Sequence, residues 1–294
     1  MSFAFGKPLG EPLSWPAPAK LNLSLQIIGR RADGYHPLQM AIQFIDLCDE
    51  ISFYERPDGV IERVAGPQDI AENADLSMRA ARLLAQEAGI RLGVGIELVK
   101  RVPSQAGLGG GSSDAATVLV ALNRLWEVDF EIERLAALGL KLGADVPVFV
   151  RGHSAWVEGV GERLEPVDYP ESCYLVIKPR ASVSTAEIFQ AAELTRNSPV
   201  TTIRAFLAGG GRNDCTSTVR GRYPEVAEAL DWLSSFGEAR LTGTGACVFA
   251  AMPDETRARA IQAQLPAHWS GFVVRGMNRS PLLDRLAGEC QVDE

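Results

Sequence analysis

Alternating apolar and polar residues predict strands in the first part of the chain. Over residues 20–28, leucine and isoleucine alternate with asparagine, serine and glutamine, which is typical of a strand with one buried face. A second alternating stretch covers residues 51–54. A third strand is expected over residues 95–102, because Pro103 ends the run. The pair Asp33-Gly34 indicates a turn after the first strand.

Apolar residues at helical spacing predict the helices. A stripe of leucine and alanine between residues 76 and 88 predicts a helix with Asn73 as its cap and Gly89 as its end. Another helical stripe follows residue 114 directly and runs through Trp126. Further helices are expected over residues 131–142, 184–192, 224–236 and 254–265.

The order of these elements favours an α+β fold. Residues 173–177 and 271–275 predict strands, and residues 239–250 predict a strand, a glycine turn and a second strand. Helices and strands are interspersed without the regular alternation of a doubly wound sheet. A connector near residues 166–170 divides the chain, so we expect an N-terminal domain over 1–165 and a C-terminal domain over 166–294.

Composition and charge limit the partners of the chain. Of its 294 residues, 46% are hydrophobic and 22% charged, and 29 basic against 37 acidic residues give a net charge of −8. Nucleic acids and anionic membranes both reward positive charge, so an acidic chain disfavours either partner. No apolar run approaches the ~20 residues of a membrane span, and residues 1–15 lack the apolar stretch of a signal peptide. We therefore expect a cytoplasmic protein, whose oligomeric state the sequence leaves open.

The cysteines and histidines predict no metal site. The five cysteines are far apart and form no C-x-x-C pair, which predicts reduced thiols. Only three histidines accompany them, and no spacing matches a zinc or iron–sulfur site. The residues concerned are Cys48, Cys173, Cys215, Cys247, Cys290, His36, His153 and His268.

The segment 103–114 (PSQAGLGGGSSD) carries the strongest chemical signal. Its glycines permit backbone angles closed to other residues, and the predicted helix that follows offers unpaired N–H groups and a dipole that favours an anion. These features describe a phosphate cradle. The glycine content is equally consistent with a flexible turn in which Ser113 or Asp114 caps an ordinary helix.

Familiar nucleotide motifs do not match this segment. The only Gly-Lys pair, Gly6-Lys7, is followed by Pro8 and not by serine or threonine, so there is no Walker A loop. The dinucleotide fingerprint fails because Ser112 stands where its last glycine would be, and neither H-R-D nor D-F-G occurs. A cradle without its own lysine needs a cation from another segment.

Three segments together resemble the GHMP kinases, small-molecule kinases that include galactokinase, homoserine kinase and mevalonate kinase. Residues 103–114 resemble the family's central motif, residues 18–23 (PAKLNL) its N-terminal motif and residues 241–250 (LTGTGACVFA) its C-terminal motif. The runs that resemble the family members acting on a cytidine diphosphate alcohol are 29–36 (GRRADGYH), 143–149 (GADVPVF) and 213–215 (NDC). Gln105 and Ala106 stand where many relatives have glycine, which leaves the loop conformation open.

The resemblance implies a two-lobed α+β fold with the active site in the cleft between the lobes. It implies ATP as the phosphate donor, accompanied by Mg²⁺, with no protein ligand of the metal identified. Gly243, Thr244 and Gly245 are expected near the phosphates, although a plain hairpin would explain them equally well. The residues expected to bind ATP are Pro103, Ser104, Gln105, Ala106, Gly107, Leu108, Gly109, Gly110, Gly111, Ser112 and Ser113.

The same resemblance implies the catalytic and acceptor residues. Asp145 would accept the proton of the attacking hydroxyl, and Lys20 would offset the developing charge. Without the resemblance, Asp145 is an ordinary turn residue and Lys20 an exposed charge at the edge of a strand. The residues implied in binding the acceptor and its base are Asn22, Tyr35, His36, Thr185 and Phe189.

Two other functions remain open at this stage. One is a kinase of the same family that acts on another small alcohol such as homoserine; the Tyr35-His36 pair speaks against it, because that acceptor has no base to stack. The other is a noncatalytic nucleotide sensor. A sensor predicts loss of Lys20 or Asp145, and both are retained.

Overall fold

The computed structural model describes residues 14–31, 36–209 and 211–291. In these ranges ten strands form one sheet, with ten helices packed around it. The strands are β1 Trp15–Ile27, β2 Leu38–Arg56, β3 Ile61–Ala65, β4 Gly93–Val99, β5 Ala155–Gly159, β6 Arg163–Pro166, β7 Cys173–Lys178, β8 Arg240–Leu241, β9 Val248–Met252 and β10 Ser270–Met277. The helices are α1 Leu76–Ala88, α2 Gly110–Leu125, α3 Ile132–Leu140, α4 Val146–Arg151, α5 Thr185–Gln190, α6 Ile203–Leu207, α7 Thr216–Arg222, α8 Pro224–Ser234, α9 Glu255–Gln262 and α10 Pro281–Gln291.

The long strand β2 organises the sheet. It pairs antiparallel with β1 along most of its length, with β5 at its start, with β10 near its middle and with β4 at its end. Strands β7, β9 and β8 extend the sheet beyond β10, and the pair β3–β4 is parallel. An interspersed, largely antiparallel sheet of this kind confirms the predicted α+β fold.

Strand β1 was predicted to have one buried face, and this is wrong. Its polar residues are buried as well as its leucines, because other segments of the chain cover both faces. Ser24 illustrates the reason: its hydroxyl donates to the carbonyl of Arg212 at 3.0 Å. The polar positions of β1 therefore bind distant segments and do not face solvent.

The other predicted elements are present, with shifted ends. The cap of α1 is Asp75 and not Asn73; its carboxylate accepts from the amide of Ser77 at 2.9 Å, and Gly89 ends the helix as expected. The strand predicted over 95–102 is β4, which ends at Val99. Helix α4 is not among the predicted elements; Pro147 stands in its first turn, where a missing N–H is tolerated.

The turn predicted at Asp33-Gly34 lies outside the described residues. In the described part of the chain, four cysteines are free and no helix is long and apolar enough to cross a membrane. The domain boundary predicted between 165 and 166 falls within β6, which pairs with β5. The division into two domains stays a prediction.

Helix α2 brings the glycine segment to the sheet. Its apolar and small residues are buried from Ala115 to Leu122, and it packs against α1, α4, β1 and β2. The segment before it is anchored on β1, since the amide of Lys20 donates to the carbonyl of Leu108 at 2.9 Å. The order strand, loop, helix predicted for this segment is confirmed.

Candidate active site

A cleft of about 430 Å³ opens where β1, the glycine segment and the loops before α4 and after β8 meet. Most of the residues singled out by their motifs line it. These are Lys20, Asn22, Pro103, Ser104, Gln105, Ala106, Gly107, Gly109, Gly110, Gly111, Ser112, Asp145, Thr185, Phe189, Gly243 and Thr244. The lining also includes residues without a predicted role, among them Leu38, Met40 and Leu76.

Lys20 is buried at the centre of this arrangement, with only 3% of its surface exposed. Its ammonium group donates to the side-chain oxygen of Asn22 and, at 3.0 Å, to the carbonyl of Gly107. The carboxylate of Asp145 lies 3.6 Å from the same nitrogen. The interpretation of Lys20 as an exposed edge charge is therefore wrong, and the cation that the loop lacks comes from β1.

Asp145 reaches the cleft because it immediately precedes α4. Its carboxylate caps no amide of that short helix, and Pro147 occupies the first turn, where a missing N–H is tolerated. One third of the Asp145 side chain is exposed. The carboxylate can thus face both Lys20 and a molecule that enters the cleft.

The glycine loop adopts a conformation that requires glycine at two positions. Gly107 and Gly109 have φ angles of 76° and 74°. A Cβ atom on Gly107 would lie 2.2 Å from the carbonyl oxygen of Thr242, and one on Gly109 would lie 2.8 Å from the ring of Phe149. The main chain of the loop therefore packs directly against the third motif and the core.

The helix that follows the loop begins without a side-chain cap. Its N-cap is Gly109, so the alternative in which Ser113 or Asp114 caps the helix is wrong. The amide of Ser113 already donates to the carbonyl of Gly109 at 2.9 Å, and the side chains of Ser113 and Leu108 are buried. Of the predicted cradle, residues 103–107 and 109–112, which include the start of α2, line the cleft, and Leu108 and Ser113 do not.

Thr242 connects the three motifs, and we did not predict it. Its buried hydroxyl accepts from the amide of Asn22 at 3.0 Å and donates to the carbonyl of Gly107 at 3.1 Å. Gly107 therefore receives hydrogen bonds from both Lys20 and Thr242. The hydroxyl fixes the loop carbonyl that in turn orients the lysine.

We expect Thr242→Val to lower stability by about 1–3 kcal/mol, because it leaves the buried Asn22 amide without its partner. It should also lower kcat, since the carbonyl that orients Lys20 loses one of its two donors. Thr242→Ser keeps the hydroxyl and should retain both properties. Urea unfolding and steady-state kinetics of the two variants test this. Equal behaviour of the Val and Ser variants would contradict it.

The turn at Gly243 and Thr244 is held from two sides. The side chain of Asn213 donates to the carbonyls of Leu241 and Gly243, both at 2.8 Å. The hydroxyls of Thr185 and Thr244 are 2.8 Å apart at the cleft wall. Gly245, predicted with them, does not line the cleft. The turn is thus more than a plain hairpin.

The acceptor end of the predicted site is partly described. Tyr35 lies outside the described residues. His36 does not line the cleft, but its ring packs against that of Phe189, which does, with centroids 5.4 Å apart. Burial lowers the pKa of His36, and the neighbouring cations Arg196 and Arg30 lower it further. The imidazole is therefore neutral at physiological pH.

A buried ionic cluster lies behind the glycine loop and had no signal in the sequence. The ammonium group of Lys100 binds Asp49 and, at 2.7 Å, Asp114 of α2. Asp49 also accepts from the amides of Arg101 and Val102, which explains why β4 ends at Val99. The cluster ties β2, the end of β4 and α2 together.

Two carboxylates share one ammonium group in this cluster, and burial changes the protonation of one of them, Asp114. Burial raises the pKa of Asp114 to about 8; Lys100 opposes the shift and Asp49 adds to it. Burial alone would lower the pKa of Lys100, but Asp114 and Asp49 outweigh it and raise that pKa. Near neutral pH the arrangement favours a protonated Asp114 and a charged Lys100.

This cluster predicts a stability that falls with rising pH. Folded Asp114 keeps its proton up to a pKa of about 8, while the unfolded chain loses it near 3.8, so the folded state binds more protons between these values. Its contribution is complete below the lower value and is lost as the pH rises through the upper one. Asp114→Asn cannot titrate at this position. The free energy of unfolding of the variant relative to that of the wild type should therefore rise from pH 5 to pH 9, measured by urea unfolding at the two pH values.

The exposed Asp69→Asn serves as the control, and its stability should follow the wild type at both pH values. A parallel pH dependence of Asp114→Asn and the wild type would contradict a protonated Asp114.

No group of three or more histidine, cysteine, aspartate or glutamate side chains in the described ranges is arranged to hold a metal ion. A Mg²⁺ ion that arrives on phosphate groups keeps several waters and needs only one or two ligands from the protein. Ser112 and Asp145 bring side-chain oxygens to the cleft wall. The site therefore fits an ion carried in by a ligand.

Two family models match the chain. The one described as GHMP kinases N terminal domain covers residues 75–153, which include the glycine loop and Asp145. The one described as GHMP kinases C terminal covers residues 191–271, which include the turn at Gly243.

The chain is also similar to individual proteins over nearly its whole length. The 4-diphosphocytidyl-2-C-methyl-D-erythritol kinase of Alkalilimnicola ehrlichii is 57% identical over 275 residues, which span 94% of each chain. The protein of the same name from Nitrosococcus oceani is 54% identical over 274 residues, 93% of this chain and 98% of the relative.

Solved structures agree with these relatives. A 4-(cytidine 5'-diphospho)-2C-methyl-D-erythritol kinase superimposes with a TM-score of 0.78 at 32% identity, over 90% of this chain and all of the other. A mevalonate kinase superimposes with a TM-score of 0.66 at 16% identity, over 91% of this chain and all of the other, which shows a shared fold.

Proposed function

Because the chain belongs to the GHMP kinase family, we propose that it transfers the γ-phosphate of ATP to the 2-hydroxyl of 4-diphosphocytidyl-2-C-methyl-D-erythritol. This step belongs to the synthesis of isoprenoid precursors by the non-mevalonate route. The observation that carries the proposal is the meeting of Lys20, Asp145 and the uncapped start of α2 in one cleft.

The glycine loop binds the triphosphate. A helix start without a side-chain cap offers its amides and its dipole to an anion, and Gly109 and Gly110 let the phosphates approach the main chain. Pro103 has no N–H and shapes the entrance, while Ser113 contributes only to the packing beneath. Gly243, which lies against Gly107, and Thr244 border the transferring phosphate.

The chemical step asks for alignment and charge stabilisation, because the transition state of phosphoryl transfer is loose. The 2-oxygen of the acceptor forms a bond to the γ-phosphorus as the bond from phosphorus to the β,γ-bridging oxygen breaks, and ADP leaves. Asp145 orients the hydroxyl and takes its proton. Lys20 stabilises the charge that develops on the transferring group.

Lys20 is prepared for this role by its neighbours. Asn22 and the carbonyl of Gly107 fix its ammonium group, so little reorganisation is needed when the charge develops. Its nitrogen lies 3.6 Å from the carboxylate of Asp145, so the two groups are placed to act on the same reacting hydroxyl and phosphate.

Mg²⁺ is the metal expected with ATP. When bound, it neutralises phosphate charge and orients the γ-phosphate for in-line transfer. Ser112, at the start of α2, is the side chain that would hold it, beside the phosphate oxygens and water.

The other end of the acceptor carries a cytosine, for which the cleft offers the ring of Phe189 and the adjoining His36. Thr185, on the same helix as Phe189, and Asn22, which accepts a hydrogen bond from Lys20, line the same cleft. The relatives support this acceptor over homoserine, and a catalytic pair of lysine and aspartate supports an enzyme over a noncatalytic sensor.

A coupled assay of ADP release tests the proposal. We expect turnover with 4-diphosphocytidyl-2-C-methyl-D-erythritol and at most weak turnover with 2-C-methyl-D-erythritol 4-phosphate, which lacks the cytidine, or with homoserine. Preferred turnover of homoserine would favour the other family activity. ATP binding without ADP release on any acceptor would favour the sensor.

A further inference from the structure

Arg196 lies between His36 and the end of helix α5, and the function described above makes no use of it. Its guanidinium makes four hydrogen bonds. They run from Nε to Nε2 of His36 at 3.0 Å, from Nη1 to the carbonyl of Leu194 at 3.1 Å, and from Nη2 to the carbonyls of Phe189 and Ala191 at 2.9 and 2.6 Å.

These contacts fix the orientation of the guanidinium. The carbonyls of Phe189 and Ala191 belong to the C-terminal end of α5, where carbonyl groups have no partner within the helix and a cation is favourable. The planar group has five N–H donors, and four of them are used by these described residues. Arg196 therefore aims Nε at His36 with little freedom to move.

The orientation of Arg196 determines which ring nitrogen of His36 carries the proton. A guanidinium is always charged and has no lone pair, so Nε of Arg196 can only donate. Nε2 of His36 must then carry a lone pair, and the single proton of the neutral ring lies on Nδ1. The lowered pKa of His36, caused by burial and by Arg196 and Arg30, agrees with a neutral ring.

We propose that Arg196 is a positioning residue that holds His36 as the neutral Nδ1–H tautomer, and that this tautomer selects cytosine over uracil in the acceptor. The selection rests on the proposed function, which supplies the pyrimidine. Nδ1 donates to no described residue, and the ring of His36 packs against Phe189, which lines the cleft, so the hydrogen on Nδ1 can meet a base bound beside Phe189. Cytosine presents a lone pair at N3, which can accept from Nδ1–H of His36. Uracil presents an N–H at N3, so two hydrogen-bond donors would face each other.

The tautomer is measured on the protein alone by ¹⁵N NMR of labelled histidine. The chain has three histidines, so the missing signal of His36→Gln assigns His36. We expect a protonated Nδ1 in the wild type and a shift toward the Nε2–H form in Arg196→Met. Arg30→Met removes another nearby cation that makes no hydrogen bond to His36, and should leave the tautomer unchanged.

The selectivity is measured as the ratio of kcat/KM for the cytidine acceptor to that for its uridine analogue. We expect Arg196→Met to lower this ratio about tenfold, the value of one such hydrogen bond, with KM for ATP unchanged. If Arg196→Met fails to fold, Arg196→Lys replaces it, because lysine keeps the charge but not the planar fork.

A wild-type His36 protonated on Nε2 would overturn the proposal, and so would an unchanged ratio in a variant whose tautomer has shifted. Failure of the proposed function is distinguishable from failure of this proposal. If the proposed function is wrong, the wild type turns over neither the cytidine acceptor nor its uridine analogue, and no selectivity ratio exists. The NMR spectra still determine the tautomer of His36 in that case.

Discussion

Asp145→Asn is expected to lower kcat by about 10²–10⁴-fold, the contribution of a positioned base, while KM for ATP barely changes. An amide cannot take the proton of the attacking hydroxyl, but it has nearly the same shape as the carboxylate. The proposed triphosphate site consists of main-chain amides at the start of α2, so we expect its affinity not to depend on the Asp145 charge. Steady-state kinetics in both substrates measures the effect.

The pairing with Lys20 adds a sharper test. Residues that act as one unit have non-additive effects, so Lys20→Met combined with Asp145→Asn should cost about as much as the worse single variant. Glu131→Gln, an exposed carboxylate at the start of α3, is the matched control and should leave kcat unchanged. Near-normal turnover of Asp145→Asn would remove Asp145 from the mechanism.

Gly107→Ala is expected to lower kcat/KM for ATP by about 10²-fold or more, the cost of moving a reacting group by about 1 Å. The new methyl group would lie 2.2 Å from the carbonyl oxygen of Thr242, and the φ of 76° strains any L-residue. The loop must move away from the third motif, and the carbonyl that orients Lys20 moves with it. Thermal unfolding should show a lower Tm in the same variant.

Gly221→Ala provides the control for the added methyl group. Gly221 lies in α7, and a Cβ there meets no atom within 4 Å. Alanine favours a helix by up to about 1 kcal/mol over glycine, so this variant should keep its activity and gain slightly in stability. Wild-type kcat/KM in Gly107→Ala would show that the close approach to Thr242 is unimportant.

Local signals predicted the parts of the fold that depend on neighbours in sequence. The helical stripe before Gly89, the strand at 173–177 and the order strand, loop, helix around Gly109 all follow from periodicity and backbone freedom. The same signals misplaced the cap of α1, because Asp75 and Asn73 are both good caps and only Asp75 also binds Arg63.

The contacts that complete the site join distant segments and have no local signal. Thr242 meets Asn22 across 220 positions, and Arg196 meets His36 across 160. The polar residues of β1 predicted a solvent-facing side for the same reason: their partners could not be seen in the strand itself. The motif resemblance indicated Lys20 and Asp145, but only the fold shows that their charged groups lie 3.6 Å apart.

The position of the transferred phosphate tests the central claim most directly. After incubation of the enzyme with ATP and 4-diphosphocytidyl-2-C-methyl-D-erythritol, proton-coupled ³¹P NMR should show one new phosphate monoester signal. Its intensity should grow in equal amount with the ADP formed. C2 carries a methyl group and no hydrogen, so phosphate on its oxygen gives a singlet while the diphosphate signals persist. A doublet or triplet, from phosphate on an oxygen whose carbon bears hydrogen, would contradict the account, as would ATP consumption without a new ester.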